Sequence, residues 1–476
     1  MESTRIYKVL NLLTVPQLNR FIKFVQSPYH NVNASIESLA VYLIKSIKND
    51  EELLDKETIW QTLSSKKEFT DLRFRKLCND LLERFEKFLI QENLDQNHML
   101  QSNLLLDSIR KNRYEILAEK HIAKSSTEIK REIDQSSNYY LQKYFFKKTI
   151  QNLKSNYEKK VDLKKGKLDS YDELSKNLDA FYIIEKLRIA TDMETWKKMY
   201  KSDESIDLGV SLEILEKIKF DNIPSVDIYR LMYDVYKEES NTELYYELKE
   251  KALTHINSFP KDEQREIFDV LVSFSIKLVN KGEIIFLKET LLLYDWGIKE
   301  SIILNKGQLS PTTFRNYVVA GLRISEFDKV EAFIKNNNEL LEKDRRENAL
   351  NFNLARVAFY RKEFDECLTY LNKVNYDDIW YNVNSKMLLL AAYYELEEIE
   401  VLDSAVDAFI LFCRRDKILD AQKKTQYFNF AKSVKKLTKF NSDKKLKTLK
   451  EKIESTKVIG NKPWLLEKID ELLKNK

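Results

Sequence analysis

Two stretches in the second half of the chain set guanidinium groups and aromatic rings at helical spacing. One carries Arg315, Val319, Leu322 and Arg323, and the other Phe352, Arg356, Phe359 and Tyr360. Residues three or four apart share a face of an α-helix, so each set lines one side of its helix. A guanidinium offers a planar fork of donors that matches a carboxylate, while flanking rings accept apolar side chains. The pattern points to a groove for a carboxylate-bearing peptide, with Arg315, Arg323 and Arg356 on the anion and Phe352 and Tyr360 on its apolar neighbours. The same letters have a plainer reading, in which Phe352 and Phe359 are core and the arginine stems cover helix surface.

A second constellation is electrostatic. Arg414 and Arg415 are followed by Lys432, Lys435, Lys436 and Lys439 at helical spacing, and residues 414–476 hold 19 Lys/Arg against 8 Asp/Glu in a chain whose net charge is only +4. A basic end on a mildly acidic body attracts nucleic acid or acidic proteins, and equally well forms a solvated helix face. Arg73, Arg75, Lys76 and Asn79 open a helix in the first hundred residues, and Tyr140, Tyr144, Phe145, Phe146 and Tyr157 are interleaved with lysines up to Lys167. Together these make a nucleic-acid-associated regulator the alternative reading. A helix-turn-helix normally has a glycine in its turn, however, and the first 165 residues contain none.

Catalytic chemistry finds little to build on. The seven glycines, at 166, 209, 282, 297, 307, 321 and 460, permit neither GxGxxG nor GxxxxGK[ST]. His30, His98, His121 and His255 form no HExxH and no Glu-x-x-His pair, and Asp95 with His98 is one turn's worth of ligands without a second half. Cys78, Cys367 and Cys413 are far apart and odd in number, the pattern of buried reduced thiols rather than a disulfide framework or metal site. No GxSxG elbow is present, and the Glu395, Glu397, Glu398 and Glu400 cluster sits where an acidic helix start would be solvated. The expectation is a protein that is not an enzyme, with no catalytic residue, cofactor or metal.

The elements that must carry these residues are helices. With 7 Gly and 6 Pro in 476 residues, there are too few tight-turn positions for a strand-rich fold, while 25 Tyr and 25 Phe supply ample surface to bury. Residues 1–95 read as a compact helical module. A capped start at Thr14-Val15-Pro16 is stopped by Ser27-Pro28-Tyr29-His30-Asn31, and helices follow over about 34–48, 56–64 and 71–93. Residues 96–205 form a more polar helical connecting region, in which 159–167 is expected to be an exposed connection. From 206 to 440 the pattern is paired, with second helices starting near Asn241, Glu283, Glu326, Glu363 and Glu398, and 441–476 is a basic C-terminal helical cap.

In two units an aromatic precedes a small side chain by three residues (Phe327 and Val330, Phe364 and Cys367), with Gly321 or Ala358 six residues before it. That combination resembles the tetratricopeptide repeat, and the resemblance implies an all-α solenoid of helical hairpins that binds a protein or peptide as a scaffold. Ala391 and Ala392 are the nearest equivalents in the next unit. The layout as a whole, with an SPYHN-type loop, a Leu72-Arg73…Leu77…Asp80-Leu81-Leu82 helix and a helical-repeat remainder, resembles an uncharacterised bacterial family of roughly 500-residue all-helical proteins. That resemblance brings no activity with it. No apolar run is long enough to span a bilayer and the start lacks a basic n-region, so the expected location is the cytoplasm.

Overall fold

A computed structural model describes residues 1–63, 68–131, 134–157, 166–200, 223–238, 240–375, 378–440 and 442–474, with five further positions between 201 and 222. Among the described residues there are 22 α-helices, and the only strands are two of two residues each. The fold is all-α, as the scarcity of glycine and proline requires. The chain divides into two compact units, residues 1–186 with 209–225, and 187–208 with 226–476. The exposed connection expected at 159–167 lies outside the described residues, apart from its last two positions, which open a helix.

The first unit holds α1 (Arg5–Leu10), α2 (Val15–Gln26), α3 (Ala34–Asn49), α4 (Lys56–Leu63), α5 (Asp71–Gln96), α6 (His98–Asn112), α7 (Glu115–Arg131), α8 (Ser137–Tyr157) and most of α9 (Gly166–Tyr200). Side-chain oxygens of Thr4, Asn33, Thr70 and Asn97 accept from first-turn amides, so these helices start where a cap is written. One apolar cluster joins α1 to α5, with Phe21 edge-on to Phe85 at 5.4 Å. The loop after α2 is organised by buried Asn31. Its Nδ2 donates to the Val25 and Asn33 carbonyls at 3.1 Å each, and His30 stacks on Phe24 at 4.0 Å. A separate cluster around Leu106 and Phe146 serves α6 to α8.

The second unit continues with α10 (Pro224–Lys237), α11 (Thr242–His255), α12 (Lys261–Lys281), α13 (Ile285–Lys299), β1 (Leu304–Asn305), β2 (Gln308–Leu309), α14 (Pro311–Arg323), α15 (Phe327–Asn337), α16 (Arg346–Tyr360), α17 (Phe364–Leu371), α18 (Ile379–Glu395), α19 (Ile399–Arg415), α20 (Ala421–Leu437), α21 (Asp443–Ser455) and α22 (Lys462–Lys474). From α11 onward each helix packs on the next, and α14, α16, α18, α20 and α22 also pack on one another in turn. Second helices therefore begin within two residues of the positions read from sequence.

The turns between paired helices share one construction. Gly282, Ser325, Lys362 and Glu397 take positive φ (103°, 59°, 66° and 58°), and the glutamate that follows each donates its amide back to the carbonyl five residues earlier, of Leu278, Gly321, Ala358 and Tyr393. This Schellman closure satisfies carbonyls that a helix end leaves open, and three of the four use a residue other than glycine in the left-handed region. The small-residue seam lies directly beside it. A Cβ on Gly321 would stand 2.2 Å from Val330 Cγ2, so α14 and α15 touch backbone to side chain there, while Tyr317 stacks on Phe333 at 3.7 Å. Those two contacts run in opposite senses along the helices, making the pair antiparallel. Ala358, Cys367, Ala391 and Ala392 are likewise buried. A single apolar cluster then extends from Phe352 to Ile469, so the basic C-terminal helices share the core of the repeats.

Candidate functional site

Four carboxylates in the second unit lie where helices meet, and each is met by an aromatic donor and a cation. Glu263 accepts from Tyr229 Oη at 2.8 Å, with Arg188 at 3.7 Å. Glu289 accepts from Tyr245 Oη at 2.8 Å and from Lys249. Asp295 takes Tyr317 Oη at 2.8 Å and Lys329 at 2.7 Å, while Glu395 takes Trp464 Nε1 at 2.6 Å and Lys468 at 2.9 Å. Pairing of this kind is what allows a charge to leave water. Glu395 thus departs from the solvated acidic cluster expected of it, because Trp464 and Lys468 reach it from 69 and 73 residues away.

Arg315 and Arg356 are treated differently. Both are partly buried, and among the described residues neither has a hydrogen bond or an ion pair. They face a cavity of about 460 Å³ whose walls are Arg315 and Val319 from α14, Phe352, Arg356, Phe359 and Tyr360 from α16, Trp380, Asn384, Met387 and Leu388 from α18, Gln426 from α20, and Asn461. The guanidinium of Arg315 lies over the Trp380 ring at 5.4 Å and that of Arg356 over Phe352 at 5.9 Å. Phe352 meets Trp380 edge-on at 5.3 Å, which fixes the wall. Burial lowers the Arg356 pKa, Tyr360 opposes this by raising it, and the like charge of Arg315 adds a smaller lowering effect. A guanidinium is protonated in proteins, so among the described residues the cavity is lined by two cations and aromatic surface with no acid.

Of the groove residues read from sequence, the structure brings Arg315, Phe352, Arg356 and Tyr360 to one cavity. Arg323 is exposed and does not line it, and Leu322 is buried rather than on the open face. Phe352 and Phe359 are both core and wall, so the two readings of those rings describe opposite sides of the same side chains. Sequence reasoning missed Trp380, Asn384, Gln426 and Asn461. Trp380 follows the helix-capping Asp378 at the start of a first helix, the one local signal available for it.

Neither a family model, nor a curated protein, nor a solved structure matches the chain.

The basic constellation is partly neutralised. Lys435 pairs with Asp407 at 2.7 Å and Lys439 with Asp403 at 3.9 Å, both acids on α19, while Arg414, Arg415 and Lys432 are exposed and Lys436 is half-buried. In the first unit Arg75 pairs with Asp71 at 2.6 Å and Arg73 donates to the Glu68 carbonyl at 2.9 Å. The α4–α5 turn falls partly outside the described residues. Cys78, Cys367 and Cys413 are free and buried, and burial raises all three thiols, to about 11, 12 and 11. Among the described residues no group of three His, Cys, Asp or Glu is placed to hold a metal, and no helix is long and apolar enough to cross a membrane.

Proposed function

We propose that this chain is a non-catalytic binding or scaffold protein of the cytoplasm, and that the cavity between α14, α16 and α18 takes an acidic, peptide-like segment of a protein partner. The observation that carries this reading is the pair of guanidinium groups, Arg315 and Arg356, without an ion pair among the described residues, in a unit where Glu263, Glu289, Asp295 and Glu395 are each paired at helix contacts. A partly desolvated cation without a partner is costly, and a ligand carboxylate removes that cost as it binds. The aromatic walls accept the apolar side chains flanking the acid, and a cavity of this size is within the range of ordinary ligand sites. Serial packing of helical hairpins supports kinship with tetratricopeptide-like repeats, whose mode of action is binding along first-helix faces.

A charge-assisted hydrogen bond is worth about 1.5–3 kcal/mol, so loss of one guanidinium should weaken binding roughly 10- to 100-fold. The test is fluorescence anisotropy with a labelled library of short peptides holding one Glu among apolar residues, using the full chain. Expected is a subset that binds the native protein, weakens by that factor with Arg356→Met or Arg315→Met, and fails when its Glu is replaced by Gln. Binding indifferent to both arginines, or absent from the library, overturns the reading. Salt-sensitive binding of a single-stranded oligonucleotide that survives Arg356→Met would favour a nucleic-acid role instead.

A further inference from the structure

The arginine cavity is one end of a longer run. A cavity of about 180 Å³ shares Arg315 and Trp380 with it, and shares Pro311 with a third cavity of about 450 Å³ that reaches Asp269 on α12. The net charge of the lining reverses along this run, with Arg315 and Arg345 against Asp378 in the middle cavity and Asp269 and Glu342 against Arg265 in the far one. At the far end Asp269 has no hydrogen bond or ion pair among the described residues; Arg265, one turn before it, lines the same cavity and its charge acts on the carboxylate, while its guanidinium donates to the carbonyls of Ile302 at 3.4 Å and Leu304 at 3.1 Å. In the middle cavity Asn353 is 3% exposed. Its Nδ2 donates to the Ala349 carbonyl at 2.8 Å, and its buried Oδ1 has no partner.

Resting on the function proposed above, we propose that the ligand is charge-dipolar: an extended segment whose acidic side chain meets Arg315 and Arg356, whose main-chain amide donates to Asn353 Oδ1, and whose basic side chain reaches Asp269. Among the described residues Arg315 and Arg356 have no ion pair, Asn353 Oδ1 has no hydrogen-bond donor, and Asp269 has no direct ion pair although Arg265 stands one turn away. Packed helices lie about 8–10 Å apart, so a segment running from α16 past α14 towards α12 needs several residues of extended chain. A segment with only acidic charge leaves Asp269 unanswered, and one with only basic charge meets two cations. Specificity for the order of charges follows from opposite signs at the two ends.

The test uses labelled peptides with one Glu and a single Lys placed four, five or six residues to either side, and matched peptides with Gln for Lys, on the native chain and on Asp269→Asn. At the best spacing Lys should tighten binding about five- to tenfold over Gln. Asp269→Asn should erase that gain while leaving the Gln peptide unchanged, and Arg356→Met should weaken both. Equal binding of Lys and Gln peptides at every spacing, or a Lys gain that persists in Asp269→Asn, overturns the dipolar ligand and leaves the acidic-segment reading intact. Absence of arginine-dependent binding for all of them overturns both.

Discussion

The contact of α11 with α13 and the cavity beside α16 treat buried charge in opposite ways. At the first, Glu289 sits between Tyr245 Oη and Lys249 Nζ, and the fully buried phenol is held protonated by desolvation and the neighbouring carboxylate. At the second, Arg356 has aromatic surface on one side and Arg315 on the other, with no acid among the described residues. The first arrangement is closed. All its polar groups are satisfied within the fold, so it joins helices and has nothing left to offer a ligand. The second is open, and its cost in the free protein is the reserve from which binding energy is drawn. What separates a structural charge from a functional one here is whether the fold supplies the counter-charge, since burial is similar in kind at both.

The two charges should respond oppositely to removal. Glu289→Ala strands Lys249 and leaves Tyr245 without its acceptor, and should lower the unfolding free energy by about 2–3 kcal/mol, with peptide binding at the arginine cavity unchanged. Urea denaturation followed by circular dichroism measures it. Arg356→Met removes an unpaired cation and keeps volume, and should raise stability by about 1 kcal/mol while weakening peptide binding roughly 10- to 100-fold. Destabilisation of similar size by Arg356→Met would mean that the guanidinium is held within the fold after all, and the contrast would be void.

Much of this was legible in the letters. Helix class followed from the lack of turn residues, and the second-helix starts followed from aromatic or aliphatic anchors just after a glutamate, at Phe327, Phe364 and Ile399. Gly321 and Val330 were readable as a seam because steric exclusion acts between residues only nine apart. The paired carboxylates were not legible. Tyr245 and Glu289 are 44 residues apart, and Glu395 meets Trp464 across 69, distances at which no local pattern survives. Arg323 was misplaced onto the groove because helical spacing fixes a face only to within a residue or so near a helix end, and α14 ends at Arg323. The turns hid for another reason. Ser325, Lys362 and Glu397 occupy positions where glycine is the usual letter.

Those turns separate stability from binding. Lys362 is exposed, has φ 66° and follows the helix that carries Arg356, so Lys362→Gly should relieve left-handed strain of about 1 kcal/mol without touching the cavity. A thermal melt should show the gain, and peptide affinity should stay the same. If affinity changed in step with stability, the loss of binding in Arg356→Met could no longer be assigned to the missing guanidinium.

The smallest effect is expected where charge is paired but not buried. Asp407, on α19, meets Lys435 of α20 at 2.7 Å, with about two thirds of the Asp407 side chain in solvent. Water and salt already screen such a pair, and holding two long side chains together offsets much of the attraction. Asp407→Asn should therefore leave the melting temperature unchanged at physiological salt, although the Lys435 pKa, which the carboxylate raises, should fall towards its ordinary value. Lysine side-chain NMR titration reads the second effect independently of the first. A clear drop in melting temperature would show that exposed pairs on this face carry stability, and then the presence of a counter-charge, rather than burial with a counter-charge, would mark the structural sites.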